Sequence, residues 1–333
     1  MKGDQVRVAL AMRKSVADRQ FSGGELDGLA EGIEVLPDVI TDFTDPAVHA
    51  TMAAVDVLLT SWGGPRIDAA AVQLMPRLGA VVHAAGSVKA MVGDAVWERD
   101  IPVCSMAGLN AVPVAEYTVA MILLENKRVL PAIEEFRRLG KSPGAPASVG
   151  NYRKRIGLVS ASMVGRRTAE LLRPYDFEVV MADPFCSAEE IAALGATKVE
   201  LEELFSSCDV VSLHVPLLPE TIGMIDSGLL SLLPDGSTFI NTARGKIVDH
   251  DALMKELSGG RIRAVLDVTE PEPLPTDSPL WRMPNVVLTP HLAGSQGTEL
   301  ARMADGAVSE INRFVAGERL LFRVPPQRRD LIA

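Results

Sequence analysis

The chain repeats one pattern along its length: a short apolar run, a turn, and then a stretch with helical periodicity. In its first part the sequence predicts buried strands at 6–12, 55–60, 80–83 and 102–105, and helices at 69–74 and 114–128. This βαβ order is typical of a parallel sheet with helices on both faces, because parallel neighbours need long crossover connections. The chain is therefore expected to bind its ligand beyond the carboxyl ends of such strands.

The pattern restarts after a Gly-, Pro- and Ser-rich stretch at 140–150, which is the best linker candidate by composition. Further strands are predicted at 156–159, 178–182, 209–214, 237–241, 264–267 and 285–288, and helices at 165–172, 188–194, 249–257 and 298–316. A length of 333 residues with 47% hydrophobic content suffices for two cores. We predict an α/β protein with two doubly wound parallel sheets.

Charge and cysteine content exclude several classes of protein. A net charge of −10 argues against a nucleic-acid binder, which normally carries a basic surface. The N-terminus lacks the pattern of a signal peptide, and uncharged apolar stretches fall far short of the roughly 20 residues that span a bilayer. Three scattered cysteines and five isolated histidines suggest neither disulfides nor a metal site. We expect a cytoplasmic protein with reduced thiols, no metal, and no nucleic-acid or membrane partner.

The restart strand leads into a weakened dinucleotide-binding turn. The expected G-x-G-x-x-G would place glycines at 160, 162 and 165, but Ser160 and Ser162 occupy the first two positions and only Gly165 is retained. Asp183 ends the next strand, where a carboxylate would accept hydrogen bonds from the adenosine ribose. No Arg or Lys follows Asp183 to hold a 2′-phosphate, so the sequence favours NAD over NADP. The serine hydroxyls could donate to phosphate, although their Cβ atoms add bulk.

Three later segments place chemically active side chains at strand ends. Thr242, Ala243 and Arg244 follow one strand, and a guanidinium there can clamp a carboxylate. Asp267 closes the next strand. His291 follows the last one, and a carboxylate from a neighbouring loop would orient its imidazole for acid–base work near neutral pH.

The motifs SASMVG, SLHVPL, NTARG, LDVTEPEP and TPHLAG, in this order, resemble those of the D-isomer-specific 2-hydroxyacid dehydrogenases. HAAGSVKAMV is similar to the substrate loop of that family, and GLNAVPVAEYTVAMILL is similar to its interdomain helix. The resemblance covers almost the whole chain. It implies a Rossmann NAD-binding domain, a discontinuous flavodoxin-like substrate domain, and hydride transfer between NAD and a small 2-ketoacid or 2-hydroxyacid.

The resemblance also implies residue roles. Arg244 would bind the substrate carboxylate and keto oxygen, Glu272 would pair with His291, and His291 would move the proton, whereas Glu270 falls at a variable position. The cofactor would be lined by Ser160, Ser162, Met163, Val164, Gly165, Asp183, His214, Val215, Pro216, Thr242, Ala243, Arg244, Asp267, His291 and Gly294, with Asp267 facing the nicotinamide amide. The substrate would be lined by Trp62, Ala85, Gly86, Ser87, Val88, Asn110, Arg244 and His291.

The family organisation moves the expected domain boundaries. The substrate domain becomes 1–112 with 300–333, the cofactor domain becomes 113–299, and the stretch at 140–150 becomes a loop within the latter. The resemblance implies a homodimer formed through the cofactor domain. Of the remaining histidines, His83 is a minor candidate for the substrate pocket, and His49 and His250 are expected to be solvated.

Several residues depart from the family pattern and keep alternatives open. Lys89 replaces the usual Asp of the substrate loop, and Thr60-Ser61-Trp62 lacks an Arg expected for a phosphate contact, so Trp62 is interpreted as covering an apolar substrate group. Glu272 argues against formate as donor, and Gly86 stands where a phosphite enzyme would carry Lys. The weakened glycine turn keeps open an NAD(H)-sensing binding protein on the same fold.

Overall fold

The computed structural model describes residues 5–142, 144 and 146–329. The chain divides into two compact units, Met1–Asn110 with Ser295–Ala333, and Ala111–Gly294. The boundaries expected from the sequence, after 112 and after 299, lie a few residues further along the chain. The Gly/Pro-rich stretch at 140–150 falls within the second unit, and its residues 143 and 145 lie outside the described residues.

The first unit contains a five-stranded parallel sheet in which the second strand along the chain lies at one edge and is followed by the first, third, fourth and fifth strands. This is the flavodoxin-like order, so the prediction of that fold is confirmed. Its elements are β1 (Val6–Ala11), α1 (Lys14–Gln20), β2 (Ile33–Ile40), α2 (His49–Ala53), β3 (Val57–Thr60), α3 (Ala69–Leu74), β4 (Ala80–His83), α4 (Asp94–Glu98) and β5 (Val103–Ser105). The last long helix of the chain, Leu300–Val315, also belongs to this unit.

The C-terminal segment joins the first unit because its apolar face and its backbone both find partners there. Along the helix Leu300–Val315, Met303, Ala307 and Ile311 recur at helical spacing and are buried against the sheet core. Further on, the amide of Val324 donates to the carbonyl of Val103 over 2.8 Å. The buried carboxylate of Glu310 accepts hydrogen bonds from the backbone of 321 and 322, which closes the segment onto its helix.

The second unit contains a seven-stranded parallel sheet. It begins with α5 (Ala107–Asn126, whose first residues lie in the first unit) and α6 (Val129–Leu139). The remaining elements are β6 (Arg155–Val159), α7 (Met163–Leu172), β7 (Glu178–Ala182), α8 (Ala188–Ala193), β8 (Thr197–Lys198), α9 (Leu201–Ser207), β9 (Val210–Leu213), α10 (Ser227–Leu232), β10 (Thr238–Asn241), α11 (His250–Ser258), β11 (Arg263–Leu266) and β12 (Val286–Leu288). The helix Leu300–Val315 is accordingly α12.

The strand order of this sheet is β12-β11-β10-β9-β6-β7-β8. It reverses direction between β6 and β9, which is the arrangement of a Rossmann fold with one added edge strand. Inner strands such as VVSL in β9 and TFIN in β10 are buried along their whole length, so neither shows the alternation of buried and exposed positions of a half-exposed strand. The prediction of two doubly wound parallel sheets is confirmed.

Several elements differ from the sequence-based expectation: α6 and β8, for example, were not predicted, and β2 and α5 show the physical reasons. The β2 strand was not predicted, because it is a half-exposed edge strand that carries Pro37 and two acidic residues. Helix α5 begins at Ala107 rather than at 114, with Pro113 inside it. A proline in a helix normally signals its first turn, so the earlier start is hidden from local sequence patterns.

Among the described residues, α5 is long and apolar enough to cross a membrane by length and composition alone. In the second unit, however, Val119 and Ile122 of this helix are buried in the core beside the sheet. Near its end, the carboxylate of Glu125 is buried and pairs with Arg263 on β11 over 2.7 Å. These contacts are those of a core helix.

Candidate active site

Most of the predicted site residues of the second unit follow neighbouring strands at one edge of its sheet. Ser160 comes directly after β6, His214 after β9, Thr242 after β10, Asp267 after β11, and His291 three residues after β12. Because all of these strands are parallel and adjacent, their carboxyl ends meet along one edge. This edge, at the reversal of strand order, is where open α/β sheets bind ligands.

His291 and Glu272 form a hydrogen-bonded pair. Nδ1 of His291 lies 2.6 Å from Oε1 of Glu272, and both side chains are about half exposed. The backbone of His291 has a left-handed φ of +52°, and its amide donates to the carbonyls of Asp267 and Thr289. A non-glycine residue in this conformation is held there by its surroundings. The imidazole thus has one nitrogen fixed by a carboxylate and Nε2 left for a proton transfer.

The carboxylate of Asp267 anchors the loop that carries His291. It is 2% exposed; Oδ1 accepts hydrogen bonds from Thr289 Oγ1 (2.6 Å) and from the amide of Leu292 (2.8 Å). Oδ2 accepts one from the amide of Ala293 over 2.9 Å. The predicted contact of Asp267 with a nicotinamide amide stays a prediction. In the described residues this carboxylate instead binds the side chain of Thr289 before His291 and the backbone amides of Leu292 and Ala293 after it.

Arg244 lies in a turn whose backbone is fixed by Asn241. The Asn241 side chain accepts a hydrogen bond from the amide of Ala243 and donates to the carbonyl of Arg244. A Cβ atom on Gly245 would lie 2.0 Å from the carbonyl oxygen of Thr269, so this turn packs directly against the loop that leads to Glu272. Burial lowers the pKa of the Arg244 guanidinium, and the charge of Glu272 opposes that shift.

The turn after β6 retains the close packing of a dinucleotide-binding turn. Ser160 adopts a left-handed φ of +82°, and a Cβ atom on Gly165 would lie 2.0 Å from the Ser160 carbonyl oxygen. Ser162 caps α7 by accepting a hydrogen bond from the amide of Gly165 over 3.3 Å. Met163 and Val164 form the first turn, where backbone amides have no partner within the helix. This cradle fits a pyrophosphate at a helix N-terminus.

The carboxylate of Asp183 closes this turn from the side. It is 8% exposed; Oδ2 accepts hydrogen bonds from the amide of Ala161 (2.8 Å) and the hydroxyl of Ser160 (3.3 Å). Oδ1 accepts one from the amide of Phe185 over 2.8 Å. The hydroxyl of Ser160 therefore donates to Asp183 rather than to a phosphate, whereas the hydroxyl oxygen of Ser162 accepts from the helix and its proton is still available to donate.

Arg166 is a residue of this turn that the sequence interpretation missed. Its Nε donates to the carbonyl of Ala161 over 2.8 Å, and its Nη2 lies 3.1 Å from Sγ of Cys186, three residues after Asp183. A cation therefore lies near the turn that Asp183 closes, even though none follows Asp183 directly in the sequence. The signal was its position immediately after the third glycine of the motif.

The other predicted cofactor-lining residues lie along the same edge. His214 is buried, both ring nitrogens lack a hydrogen-bond partner among the described residues, and burial lowers its pKa to about 3. Val215 is buried after it and Pro216 is half-buried. Thr242 is buried, with its hydroxyl 3.4 Å from that of Thr118, and Gly294 is half-buried. His214 is thus neutral near pH 7 and behaves as a packed side chain.

The predicted substrate residues of the first unit gather after β3 and β4. Ala85 and Gly86 are buried, and Ser105 donates to the carbonyl of Gly86 over 2.5 Å, which holds the loop Ala85–Val88 against β5. Ser87 is half-buried, and Trp62 is 39% exposed. Asn110 accepts a hydrogen bond from the amide of Ser295 over 2.9 Å, which joins the two segments of this unit.

The remaining histidines are more buried than the sequence suggested. His83 is 2% exposed, its Nδ1 lies 2.9 Å from the Thr60 hydroxyl, and burial lowers its pKa to about 4, so it is a neutral core residue. The expectation that His49 and His250 are solvated is wrong. Both are half-buried with an inaccessible Nε2, and burial lowers the pKa of His250, because each begins a helix that packs onto its own unit. The described residues contain no group of three or more potential metal ligands.

A separate polar cleft lies at the opposite edge of the second sheet. It is lined by residues at the amino ends of the strands, among them Lys154, Asp209 and Thr238. Lys154 pairs with Asp209 over 2.5 Å. None of the predicted site residues lines this cleft, so the candidate active site is the carboxyl edge described above.

Comparisons with known proteins agree with this arrangement. Residues 119–293 match the family model of the D-isomer specific 2-hydroxyacid dehydrogenase NAD-binding domain. A glyoxylate reductase from Korarchaeum cryptofilum is 33% identical over 267 residues, 78% of each chain. A D-3-phosphoglycerate dehydrogenase from Mycobacterium tuberculosis is 30% identical over 270 residues, 81% of this chain but 51% of the relative. The chain thus spans about half the length of such curated phosphoglycerate dehydrogenases.

The chain is also similar to a solved structure of a D-isomer specific 2-hydroxyacid dehydrogenase from Xanthobacter autotrophicus Py2, in complex with NADPH and MES. The similarity covers 98% of this chain and 100% of the other. The TM-score is 0.76 and the sequence identity is 28%. The similarity therefore extends over both units and is not confined to the dinucleotide-binding sheet.

Proposed function

Because the chain belongs to the D-isomer-specific 2-hydroxyacid dehydrogenases and carries their NAD-binding domain, we propose that it interconverts a 2-ketoacid and a D-2-hydroxyacid by hydride transfer. The observation that carries this proposal is the His291–Glu272 pair, 2.6 Å apart, at the same sheet edge as Arg244 and the dinucleotide turn. That edge combines an acid–base group, a carboxylate clamp and a pyrophosphate cradle.

Each of the three residues has one role in the proposed reaction. When bound, the nicotinamide supplies the hydride to the keto carbon, or accepts it in reverse. Arg244 binds the substrate carboxylate and polarises the keto oxygen. His291 donates the proton from Nε2 to that oxygen during reduction and removes it during oxidation. Glu272 holds Nδ1–H of His291 and stabilises its protonated form.

We propose that the cofactor is NAD rather than NADP, because Asp183 stands where the ribose hydroxyls would donate. A carboxylate repels a 2′-phosphate, whereas Arg166 near Cys186 would attract one. The carboxylate is the group held inside the turn by three hydrogen bonds, and the guanidinium is already engaged by the carbonyl of Ala161. This arrangement supports NAD as the preferred dinucleotide.

The substrate class we propose is a small 2-ketoacid. The backbone amides of Ala85–Val88 would help to hold its carboxylate, with Trp62 covering an apolar substituent and Asn110 lining the site. Phosphite as an alternative donor and an NAD(H)-sensing binding protein are the other two candidate functions. The strained Ser160 is the observation that favours the sensing protein, since it departs from an optimal dinucleotide turn.

We also propose a cytoplasmic homodimer. Reduced thiols suit a reducing compartment, and Cys104, Cys186 and Cys208 are free. Helix α6 exposes Ile133, Phe136 and Leu139 at helical spacing, an apolar stripe that a second copy of the chain would cover. Size-exclusion chromatography with light scattering tests the proposed dimer. A strictly monomeric mass at micromolar concentration would refute it.

The central experiment is an NADH-oxidation screen with glyoxylate, hydroxypyruvate, 3-phosphohydroxypyruvate, pyruvate and larger 2-ketoacids. His291→Ala should lower kcat by at least about 100-fold because the proton donor is lost, with the NADH dissociation constant nearly unchanged. His49→Ala, in the first unit, is the matched control and should keep full activity. Strong preference for the phosphorylated acid would contradict the interpretation of Trp62.

The outcomes separate the three functions. If the protein binds no NADH, the dehydrogenase proposal is refuted. If it binds NADH but turns over none of the acids, and phosphite is also inert, the sensing protein is favoured. Turnover that survives His291→Ala would refute the role assigned to that residue.

A further inference from the structure

Ser160 and Asp183 meet in the turn after β6, where the adenosine end of the dinucleotide is proposed to bind. Ser160 stands at the first of the three positions that are usually glycine, and it has a left-handed φ of +82°. Its hydroxyl donates to Oδ2 of Asp183 over 3.3 Å. The carboxylate proposed to receive the ribose hydroxyls is therefore already engaged by a side chain of the same turn.

The acceptor capacity of Asp183 is nearly filled from within the protein. An ionised carboxylate accepts about four hydrogen bonds. The amides of Ala161 and Phe185 take two of these directions at 2.8 Å, and the Ser160 hydroxyl takes a third. The two ribose hydroxyls would together donate two hydrogen bonds, but the carboxylate of Asp183 can accept only roughly one more. A hydroxyl can rotate, whereas the two amides are fixed in the backbone, so the ribose must compete with Ser160.

We propose that Ser160 is a specificity-determining residue whose hydroxyl competes with the adenosine ribose for Asp183 and thereby weakens NAD(H) binding. This inference rests on the proposed function, because it presupposes a dinucleotide in this turn. A 2′-phosphate cannot donate to the carboxylate, so the competition acts on NADH more than on NADPH. Ser160 therefore reduces the ratio of NADH affinity to NADPH affinity that Asp183 would otherwise produce.

The rest of the turn is arranged so that removing the hydroxyl leaves the cradle intact. Gly165 provides the close approach to the Ser160 carbonyl, and Arg166 holds the carbonyl of Ala161 from the other side. Glycine adopts a φ of +82° without the strain that a Cβ atom brings, which offsets its larger freedom in the unfolded chain. Ser160→Gly should therefore fold with nearly unchanged stability.

The test measures dissociation constants rather than turnover. NADH and NADPH are titrated by their fluorescence and ADP-ribose by calorimetry, with the melting temperature of every variant recorded. Ser160→Gly should bind NADH and ADP-ribose about tenfold more tightly, the lower end of what one freed hydrogen bond to a charged group provides, because the bond between Ser160 and Asp183 is 3.3 Å long. NADPH affinity should change by less than about twofold.

Two further variants separate the hydroxyl from the Cβ atom and from generic effects of glycine. Ser160→Ala lacks the hydroxyl but keeps the Cβ, so it should show the same gain. Ser258→Gly, at the exposed end of α11, is the matched serine-to-glycine control and should bind as the unaltered protein does. If Ser160→Ala does not fold, Ser160→Asn replaces it: asparagine tolerates a left-handed backbone and keeps a donor, so its affinity should show no gain.

The proposal is overturned if Ser160→Gly binds NADH no more tightly than the unaltered protein. It is also overturned if NADH and NADPH gain equally, or if Ser160→Gly gains and Ser160→Ala does not, since bulk rather than competition would then be the cause. A complete failure of the unaltered protein and all variants to bind any dinucleotide would instead refute the proposed function.

Discussion

Asp267→Asn tests whether the carboxylate of Asp267 builds the loop around His291. The substitution keeps the shape of the side chain but converts one oxygen into an amide NH₂ group. With the carbonyl at the Oδ1 position, the bonds from Thr289 and Leu292 survive as neutral, weaker bonds. The NH₂ group then faces the amide of Ala293, and both groups are hydrogen-bond donors. Because residue 267 is only 2% exposed, water cannot supply the missing acceptor.

The expected cost follows from these contacts. One charge-assisted hydrogen bond is lost, a buried donor is left without a partner, and two further bonds are weakened, which together amount to about 3 kcal/mol of unfolding free energy. Urea denaturation followed by tryptophan fluorescence and circular dichroism measures this loss. Because the loop carries His291, kcat should also fall by about 100-fold.

Asp226→Asn is the matched control. Asp226 caps α10 by accepting a hydrogen bond from the amide of Leu229 over 3.0 Å, and asparagine caps a helix about as well as aspartate. Its unfolding free energy should stay within about 0.5 kcal/mol of the unaltered protein. If Asp267→Asn is equally neutral but binds NADH more weakly, the carboxylate contacts the nicotinamide rather than the loop, and the reasoning is refuted.

Two further predictions concern acid stability and the dinucleotide turn. Because burial lowers the pKa of His83 from 6.5 to about 4, the unfolded chain takes up this proton first, and the free energy of unfolding should fall by about 3 kcal/mol as the pH drops from 6.5 towards 4. Urea titrations at several pH values should therefore show a shallower pH dependence for His83→Gln than for the unaltered protein; parallel curves would contradict this. Gly165→Ala should weaken NADH binding by at least about tenfold and lower the melting temperature, because the added Cβ would lie 2.0 Å from the Ser160 carbonyl. Gly259→Ala, where the nearest atom would be 3.7 Å away, should leave both quantities unchanged.

Local sequence patterns located most of the strands, but they missed the edge strand β2 and the start of helix α5. Inner strands such as β9 and β10 are buried on both faces, so each appears in the sequence as a short run rich in apolar residues. The edge strand β2 carries Pro37 and acidic residues because one of its sides faces solvent, and it therefore lacks that signal. The start of α5 was missed because Pro113 lies within it, where tertiary packing of the helix outweighs the local cost of proline.

The order of motifs by itself also predicts that Arg244, Glu272 and His291 lie close together. Residues that follow adjacent parallel strands must meet at one edge, and the family resemblance assigned Glu272 to His291. Sequence could not show which side-chain atoms meet. It did not indicate that Ser160 donates to Asp183 or that Arg166 contacts Cys186. It also did not indicate that the carboxylate of Asp267 accepts hydrogen bonds from three donors of the His291 loop.

The sequence by itself determined the α/β class, the two parallel sheets, the membership of the C-terminal segment in the first unit as a family expectation, and the chemical types at each strand end. The fold class, the sheets and the residue types at the strand ends follow from periodicity and motif order, which are properties of the chain alone, whereas the place of the C-terminal segment followed only from the family resemblance. The tertiary structure decided how each polar group is satisfied. Hydrogen-bond partners come from residues distant in sequence, such as Asp183 with Ala161 or Asp267 with Ala293, and the limited capacity of a buried carboxylate determines which donors it can still accept.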